Sequence, residues 1–334
     1  MSREGPRILR FHSRRYPAGA NANPWSLDRF SRCFLPQIGI PETIKQREAM
    51  TAPSPIILFS SLSAKISLCE KVLQSARRFD EQSRVIGVDC DPHCPAASRV
   101  KEFAPIPPLE EMDLETLTNY CLGLGVTHVV PTRDEELGYW SARCNHLEQK
   151  GIQVMVSSES AVKTCQDKLL FSRSLESSAI PPIDSSDELS RLSCNFFAVK
   201  ERSGSASKSI GLNLVAEEAL EHAKGLDRPI FQPMVQGREF SAETWINSSG
   251  KCHGMLLRWR TKIIDGEAHE TETFENQEWQ KLLKSTFEAI PGLSGHALAQ
   301  VIVAPEQSLH LIEINPRLGG ASPLALAAGL NSIE

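Results

Sequence analysis

The residues best suited to chemistry lie near the end of the sequence, where two apolar runs flank a short polar turn. This pattern is typical of an antiparallel hairpin, and its turn is centred between Glu306 and Gln307. Antiparallel pairing then places Gln300 opposite Glu313, and the alternation of strand faces places Asn315 beside Glu313. One carboxylate and two carboxamide oxygens form a set that Mg²⁺ accepts when substrate phosphates supply the remaining ligands. The hairpin is therefore a candidate metal site.

A solvated hairpin face fits the same residues. In that case Val301, Val303 and Ile312 form the apolar face that packs on the core, while the polar face only meets water. The spacing alone leaves the metal site and the solvated face both open.

An arginine and a loop of small residues follow this hairpin directly. Arg317 comes after Asn315-Pro316, and the segment Gly319-Gly320-Ala321-Ser322 has little side-chain bulk. A guanidinium fork and backbone N–H groups together can hold an anionic substrate or a phosphoryl group during its transfer. An arginine after a proline turn is also common on protein surfaces, so this motif alone does not decide the matter.

A lysine ends an apolar strand in the middle of the chain. Phe196, Ala198 and Lys200 share one strand face, and residues 203–211 follow as a loop rich in Gly, Ser and Ala. Such a loop can close over phosphate oxygens with its N–H groups while the lysine adds a point charge. It is not the Gly-x-x-x-x-Gly-Lys-Ser/Thr phosphate loop, because Gly-Lys-Ser/Thr does not occur in the sequence. A flexible linker is the alternative interpretation.

Strands and helices alternate over the first half of the chain. The apolar periods predict strands at 56–59, 85–89, 126–131 and 153–156, and helices at 68–79, 114–122 and 135–149. This alternation predicts an open parallel sheet with ligands at the carboxyl ends of its strands. The first strand is followed by Ser60-Ser61-Leu62-Ser63 and not by Gly-x-Gly-x-x-Gly, so a dinucleotide-binding fold is poorly supported.

The pattern becomes α+β after residue 160. It predicts helices at 167–178, 216–223 and 277–290, and strands at 196–200, 229–235, 239–246, 254–260, 297–303 and 309–314. Arg258 and Arg260 alternate with Trp259 on one of these strands. The two arginines either bind an acidic substrate or face solvent.

Composition limits the class of protein. The 334 residues are 41% hydrophobic and 23% charged, which is typical of a globular protein, and the net charge of −5 provides no basic field for nucleic acid or an anionic membrane. Residues 1–53 are rich in Arg, Pro, Ser and Asn without a sustained period, which predicts a poorly structured extension. No apolar stretch is long enough to span a membrane. Nine scattered cysteines favour the reducing cytoplasm.

Four segments, in this order along the chain, resemble the motifs of the ATP-grasp superfamily. They are Asp167-Lys168-Leu169-Leu170-Phe171, Val199-Lys200 with the loop 203–211, residues 231–235 with Gly237-Arg238-Glu239, and Glu313-Ile314-Asn315-Pro316-Arg317. The resemblance spans about residues 55–334. Gln300 stands where other branches have an acid, so the sequence is most similar to the carbamoyl-phosphate-synthetase-like and carboxylate–amine ligase members.

The resemblance implies an α/β fold in which an N-terminal open parallel sheet precedes a two-subdomain α+β ATP-grasp fold. Residues 54–160 would form the first part, the pre-ATP-grasp domain, and residues 161–334 the second. A lid subdomain would cover 161–230, and a metal and substrate subdomain 231–334. Relatives usually continue beyond the position of Glu334, so the last subdomain is expected to be truncated, which would expose Leu324, Leu326 and Leu330.

The resemblance also implies a role for each matched residue. The ATP phosphates would contact Lys168, Lys200, Gly204, Ser205 and Ser207. Adenine would meet Gln232 and the backbone of Val235, since Pro233 has no N–H to donate, and the ribose would meet Glu239. The ligands of Mg²⁺, or of Mn²⁺, would be Gln300, Glu313 and Asn315. The catalytic residues would be Arg317 and Lys200.

The activity that the resemblance implies is an ATP- and Mg²⁺-dependent ligation. A carboxylate attacks the γ-phosphate, an acyl phosphate forms, and an amine displaces the phosphate to make a C–N bond. The partners would be small-molecule carboxylate and amine substrates, with neither nucleic acid nor membrane, and a homodimer fits the family. Two alternatives stay open: a small-molecule kinase on the same fold, and a non-catalytic nucleotide-binding protein.

Overall fold

The computed structural model describes residues 10–12, 53–204, 209–264, 266–330 and 332–333. Three β-sheets organise these residues, and we call them the parallel sheet, the small sheet and the large sheet. Ser205 and Ser207, which belong to the predicted phosphate loop, lie outside the described residues.

The parallel sheet confirms the predicted alternation of strands and helices. Its strand order is β4-β3-β2-β5-β6, with β2 (Ile56–Phe59), β3 (Arg84–Asp89), β4 (Phe103–Pro105), β5 (His128–Val130) and β6 (Gln153–Val154). The chain order reverses beside β2, so the loops after β2 and β5 open side by side at the carboxyl edge of the sheet.

Four helices accompany the parallel sheet: α1 (Ile66–Phe79), α2 (Leu114–Gly123), α3 (Asp134–Ser141) and α4 (Cys144–Gln149). The last two replace the single helix predicted over 135–149. The hydroxyl of Ser141 donates to the carbonyl of Gly138 at 3.1 Å, and this side-chain bond competes with the helical hydrogen bonds where α3 ends.

The large sheet is antiparallel and has the order β1-β12-β11-β10-β13-β14. Its strands are β1 (Arg10–His12), β10 (Arg238–Ile246), β11 (Cys252–Ile264), β12 (Glu267–Phe274), β13 (Gly295–Val303) and β14 (Leu309–Asn315). One face packs Phe240 and Val301 against Leu283 and Phe287 of helix α8 (Gln277–Glu288). The opposite face of β10, β13 and β14 is therefore available for polar side chains.

The small sheet has the order β8-β7-β9, with β7 (Phe197–Glu201), β8 (Gly211–Leu214) and β9 (Pro229–Pro233). Helix α7 (Ala216–Ala223) covers it through Ala219, which packs with Phe197, Val199 and Phe231. Two helices, α5 (Glu159–Gln166) and α6 (Lys168–Ser174), precede this sheet in the chain.

Strands β1, β4, β8 and β12 were not predicted from the sequence. β12 has Glu, His and Thr at most of its positions, so it lacks the apolar alternation that marks a strand, and it forms by pairing with β11. β1 pairs with the other edge of β12 and lies within the segment that was expected to be poorly structured.

The end of the chain packs against the parallel sheet. Helix α9 (Ser322–Ala327) contributes Leu326, which is fully buried in a cluster with Leu68 and Val72 of α1. Leu324 and Leu330 are buried as well, so the expectation that these leucines are exposed is wrong. None of the helices in the described part of the chain has the length and apolar character needed to cross a membrane.

Candidate active site

A cleft of about 3050 Å³ separates the three sheets, and all predicted site residues that the structure describes line it. The large sheet contributes Gln300, Glu313 and Asn315, the small sheet contributes Lys200, and the first turn of α3 contributes Asp134. Gly204 and Val235 also line the cleft. The fold thus brings together residues that the sequence spreads over 184 positions, from Asp134 to Arg317, counted inclusively.

The three predicted metal ligands are joined by hydrogen bonds. Gln300 pairs with Glu313 in the strand register, as predicted, and its Nε2 donates to Glu313 Oε1 at 3.0 Å. The Nδ2 of Asn315 donates to the same oxygen at 2.8 Å. The carboxylate and both amides therefore converge on one point of the cleft.

A β-bulge between Gln300 and Val301 sets this register. Below the bulge Val303 pairs with Leu309, so the turn is centred on Glu306 itself and not after it. The bulge adds one residue to β14, which restores the predicted pair and turns Ile312 towards the cleft. The prediction that Ile312 belongs to the apolar core face is wrong for this reason.

The donor set fits a magnesium ion that arrives with nucleotide phosphates. Carboxylate and amide oxygens are hard ligands of the kind that Mg²⁺ prefers. Within the described ranges, no group of three His, Cys, Asp or Glu side chains could hold a metal ion. A cation at Glu313 therefore needs further oxygen ligands from a substrate, and rotation of the two carboxamides would present their oxygens to it.

Two lysines approach the cleft from the small-sheet side. Lys200 is 9% exposed, and burial lowers the pKa of its ammonium to about 8, although Glu313 and Glu239 partly oppose that shift. Burial likewise lowers the pKa of Lys168, whose Nζ donates to the carbonyl of Gly204 at 3.0 Å. Two partly desolvated cations therefore face the predicted metal ligands, and Lys168 fixes the start of the predicted phosphate loop.

Asp167 anchors Lys168. Its carboxylate caps α6 by accepting from the N–H groups of Leu169 and Leu170, and it forms an ion pair with Arg202 at 2.7 Å. The N–H of Lys168 donates to the carbonyl of Arg202 at 3.0 Å. This short motif therefore joins helix α6 to the end of β7.

The predicted adenine and ribose residues lie at the junction of the small and large sheets. Gln232 is buried, and its Nε2 donates to Ser185 Oγ at 2.6 Å. The N–H of Met234, just after Pro233, donates to the carbonyl of Phe196 at 2.9 Å. Glu239 lies 3.2 Å from Arg260. Arg260 is thus paired with an acid, and the interpretation of it as a solvent-facing arginine is wrong.

Arg317 is held by an acid from the unit formed by the parallel sheet and helices α1–α4, which we call the parallel-sheet domain. Its Nε donates to Asp134 Oδ1 at 2.6 Å, its Nη2 pairs with Asp134 Oδ2, and its Nη1 donates to the carbonyl of Leu318. Burial opposes the charge of Arg317, yet the hydrogen bonds to Asp134 raise its pKa. The N–H of Gly319 donates to Ser322 Oγ at 2.7 Å, so that group of the predicted anion loop is already occupied.

Asp134 was not predicted as a site residue, because it lies far from Arg317 in the sequence. The one signal was its place directly after a strand of the parallel sheet, in Pro131-Thr132-Arg133-Asp134, where polar residues commonly meet ligands. Glu243 was not predicted either, because nothing in its local sequence distinguishes it from other residues of a strand.

Glu243 forms the centre of a buried network beneath the cleft. Its Oε1 accepts from Arg258 Nε at 2.8 Å, and its Oε2 accepts from Ser322 Oγ and lies 3.0 Å from His296 Nε2. Burial alone would raise the pKa of Glu243, but Arg258, together with the hydrogen bonds from His296 and Ser322, lowers it to about 2. Arg258 is 2% exposed, so the interpretation of it as solvent-facing is wrong.

Two family models match consecutive parts of the chain. Residues 57–155 match the model of the PylC-like N-terminal domain, and residues 165–321 match the model of the ATP-grasp domain. No curated protein sequence matches the chain. The first range covers the parallel sheet almost completely, and the second covers the small sheet and all of the large sheet except β1.

Solved structures share this arrangement at low sequence identity. L-amino acid ligase from Bacillus licheniformis is 14% identical, with a TM-score of 0.62 over 81% of this chain and 69% of that one. A biotin carboxylase–β-γ-ATP complex from Campylobacter jejuni is 12% identical, with a TM-score of 0.63 over 83% and 69%.

The biotin carboxylase domain of 2-oxoglutarate carboxylase from Hydrogenobacter thermophilus, solved with MgADP, ADP and bicarbonate, is 12% identical. Its TM-score is 0.61 over 80% of this chain and 65% of that one, so the chain spans less than two thirds of that domain. These likenesses show the fold. The two family models show that the chain belongs to the ATP-grasp superfamily, with a PylC-like N-terminal domain at residues 57–155 and an ATP-grasp domain at residues 165–321.

Proposed function

We propose that the protein is an ATP- and Mg²⁺-dependent ligase that activates a carboxylate as an acyl phosphate and joins it to an amine. The observation that carries this proposal is the convergence of Gln300, Glu313 and Asn315 with Lys200 in one cleft. Oxygen ligands beside a desolvated cation suit the transfer of a phosphoryl group, which requires positioning and charge neutralisation more than a covalent protein partner. The fold shared with L-amino acid ligase supports the same choice.

ATP lies along the cleft with its base at the junction of the small and large sheets. Gln232 and the backbone of Val235 bind adenine, and Glu239 binds the ribose hydroxyls. Lys168 and Lys200 bind the phosphates, and Gly204 covers them together with Ser205 and Ser207. Because Lys200 is 9% exposed, its charge acts on the phosphates with little screening by water.

Gln300, Glu313 and Asn315 hold one or two Mg²⁺ ions, and Mn²⁺ can replace them. When bound beside these three side chains, Mg²⁺ would supply positive charge that offsets the negative charge of the phosphate oxygens. Glu313 accepts both amide hydrogen bonds through Oε1, so its Oε2 has no hydrogen-bond partner among the described residues and is available to a cation.

Arg317 stabilises the phosphoryl group during transfer. A guanidinium has five N–H donors, and Asp134 and Leu318 engage three of those on Arg317. Two donors stay available for an anion while Asp134 fixes the orientation of the fork. The parallel-sheet domain therefore contributes to catalysis by holding Arg317 in place.

The partners are a small-molecule carboxylate and an amine, and the protein acts in the cytoplasm. Each cysteine that the structure describes has a free thiol, and free thiols persist in a reducing compartment.

Hydroxylamine trapping with the full chain tests this function. Incubation with Mg²⁺, ATP, hydroxylamine and a panel of monocarboxylates and α-amino acids is expected to give an acid-dependent hydroxamate with ADP. Mg²⁺ and ATP alone, at about a hundred times the dissociation constant, should stabilise the fold by about 2.7 kcal/mol. A phosphorylated product without hydroxamate would indicate a kinase. Stabilisation without ADP release would indicate a non-catalytic nucleotide-binding protein.

A further inference from the structure

Two buried polar atoms on the cleft face of the large sheet have neither a hydrogen-bond partner nor an ion-pair contact within the described residues, whereas a third, Nε of Arg260, lies 3.2 Å from Glu239. They are Nη1 of Arg258 and Oγ of Ser241, on side chains that are 2% and 0% exposed. A buried donor without a partner costs free energy, so a protein seldom keeps one without a ligand, a water or an ion to satisfy it.

These two groups are neighbours. The register pairs Ser241 with Arg258 on one side and with Gln300 on the other, and Gln300 pairs with Glu313. All four side chains therefore share one face of the sheet, in a row across four strands that are about 4.8 Å apart. Arg258, Gln300 and Glu313 line the cleft. The unsatisfied donors thus stand beside the metal-site residues.

The guanidinium of Arg258 is fixed in orientation. Glu243 holds its Nε at 2.8 Å, while His296 and Ser322 hold the other carboxylate oxygen of Glu243. A buried carboxylate with this many partners cannot turn to follow another group, so it directs Nη1 of Arg258 away from Glu243. Such a preorganised arginine suits the recognition of an oxyanion.

Resting on the proposed function, we infer that Arg258 and Ser241 form the subsite for the carboxylate that is phosphorylated. Both donate to one carboxylate oxygen, which becomes the carbonyl oxygen of the acyl phosphate. The other oxygen attacks the γ-phosphorus of ATP, an O–P bond forms, and the bond to ADP breaks with its electron pair going to ADP. Arg317 and the metal ligands act on the phosphoryl group, and Arg258 acts on the acid.

The surroundings of this subsite define the class of acid. Leu298 lies between Glu243 and Asn315 in the register, and Pro323 and Leu324 line the same cleft at the start of α9. These side chains are apolar, so they favour an acid with an apolar body over a second carboxylate. The subsite therefore fits a monocarboxylate such as isovalerate better than a dicarboxylate such as succinate.

Ser241→Ala and Arg258→Lys test the subsite in the full chain. The measurements are hydroxamate formation against isovalerate and succinate concentration, MgATP affinity by calorimetry, and the melting temperature. Ser241→Ala removes no hydrogen bond among the described residues, so the melting temperature of the free variant should be unchanged or higher. The KM for isovalerate should rise about tenfold or more, because a bond to a charged group is lost, while MgATP affinity stays within about twofold. Arg258→Lys should lower kcat/KM about a hundredfold or more.

Ser83→Ala is the matched control. Ser83 is also fully buried but donates to the carbonyl of Ala76 at 3.2 Å, outside the cleft. This variant should have a lower melting temperature and an unchanged KM for isovalerate. If wild type forms hydroxamate and both Ser241→Ala and Arg258→Lys keep its acid dependence, the subsite is wrong and the groups hold water. Succinate preferred over isovalerate would overturn the assigned acid class. No acid-dependent hydroxamate from wild type would overturn the proposed function itself.

Discussion

Arg317 and Asp134 form a bidentate ion pair at the boundary between the parallel-sheet domain and the large sheet. The two residues are 183 positions apart in the sequence. The two side chains are only 18% and 14% exposed, so water screens their attraction weakly. The pair connects Arg317, two residues after the end of β14, to the first residue of α3. The parallel-sheet domain therefore contributes a side chain to the candidate active site and does more than support it.

Asp134→Asn should impair phosphoryl transfer more than nucleotide binding. The amide keeps the size of the side chain but loses the charge that orients Arg317, so kcat for hydroxamate formation should fall at least about tenfold. Breaking a mostly buried pair should also destabilise the fold by roughly 3 kcal/mol. Steady-state kinetics and chemical denaturation measure the two effects.

Glu135→Gln is the matched control for this variant. Glu135 is the next residue, and its ion pair with Arg133 is 53% and 59% exposed, so its loss should change stability by less than about 1 kcal/mol. An Asp134→Asn protein with wild-type kcat would show that Arg317 does not depend on Asp134.

Glu313→Gln should abolish the effect of Mg²⁺ on nucleotide binding. The substitution removes the only carboxylate among the three predicted ligands, so the melting shift caused by Mg²⁺ and ATP should no longer exceed that caused by ATP alone. Turnover should fall by about a hundredfold or more. Glu306→Gln, in the exposed turn of the same hairpin, should leave both quantities unchanged. Retained metal dependence in Glu313→Gln would place the cation elsewhere.

MgATP affinity should depend on pH through Lys200, whose pKa burial lowers to about 8. The ammonium is charged below that pH and loses its proton above it, so the dissociation constant should rise above pH 8, approaching about tenfold per pH unit. The folding stability of the nucleotide-free protein should instead increase as the pH rises. Its unfolded chain keeps the lysine proton up to the ordinary pKa of 10.5, so folding stability from this group rises between pH 8 and 10.5.

Lys200→Met should remove the pH dependence of MgATP affinity and the contribution of this residue to the pH dependence of folding stability. Its MgATP binding should be weak and insensitive to pH, and the free variant should be more stable than wild type below pH 8, because a buried charge is gone. Lys224→Met, on the exposed end of the helix that covers the small sheet, should keep the wild-type profile. Calorimetric titrations from pH 7 to 9.5 provide the comparison, and a flat wild-type profile would argue against a titrating Lys200.

Asp167→Ala should weaken both stability and MgATP binding. The side chain caps α6 and pairs with Arg202, so its loss should cost about 1–2 kcal/mol and free Lys168 from its position. Asp113→Ala removes a comparable cap, from α2, and should lower stability without changing MgATP affinity. If the two variants bind MgATP with equal affinity, Asp167 does not contribute to nucleotide binding.

Local sequence patterns predicted most of the elements but not how they are combined. The alternation around 56–59 and 85–89 predicted the parallel sheet, because buried parallel strands form continuous apolar runs. β12 could not be predicted in this way, since its mainly polar sequence becomes a strand only through pairing with β11. The register at Gln300 was right although the bulge beside it was not predicted.

The residues of the candidate site also fall into two groups, those that the sequence predicted and those that it did not. Residues within short motifs, such as Glu313 and Asn315, could be found because their chemistry depends on spacing along a strand. Asp134 and Glu243 could not, because each acts through a partner on another element: Arg317 for the first, and His296 and Arg258 for the second. Contacts between elements far apart in the chain produce no local spacing pattern, so they cannot be predicted from the sequence in this way.

In the proposed reaction, a carboxylate oxygen attacks the γ-phosphate of ATP in this cleft. The most direct test supplies the carboxylic acid that gives the strongest hydroxamate signal, labelled with ¹⁸O in its carboxylate, together with Mg²⁺, ATP and hydroxylamine. The inorganic phosphate is then analysed by mass spectrometry. We expect one ¹⁸O atom in each phosphate released, because the attacking oxygen stays bonded to phosphorus when the amine displaces phosphate from the acyl carbon. Phosphate without ¹⁸O from the acid would contradict it.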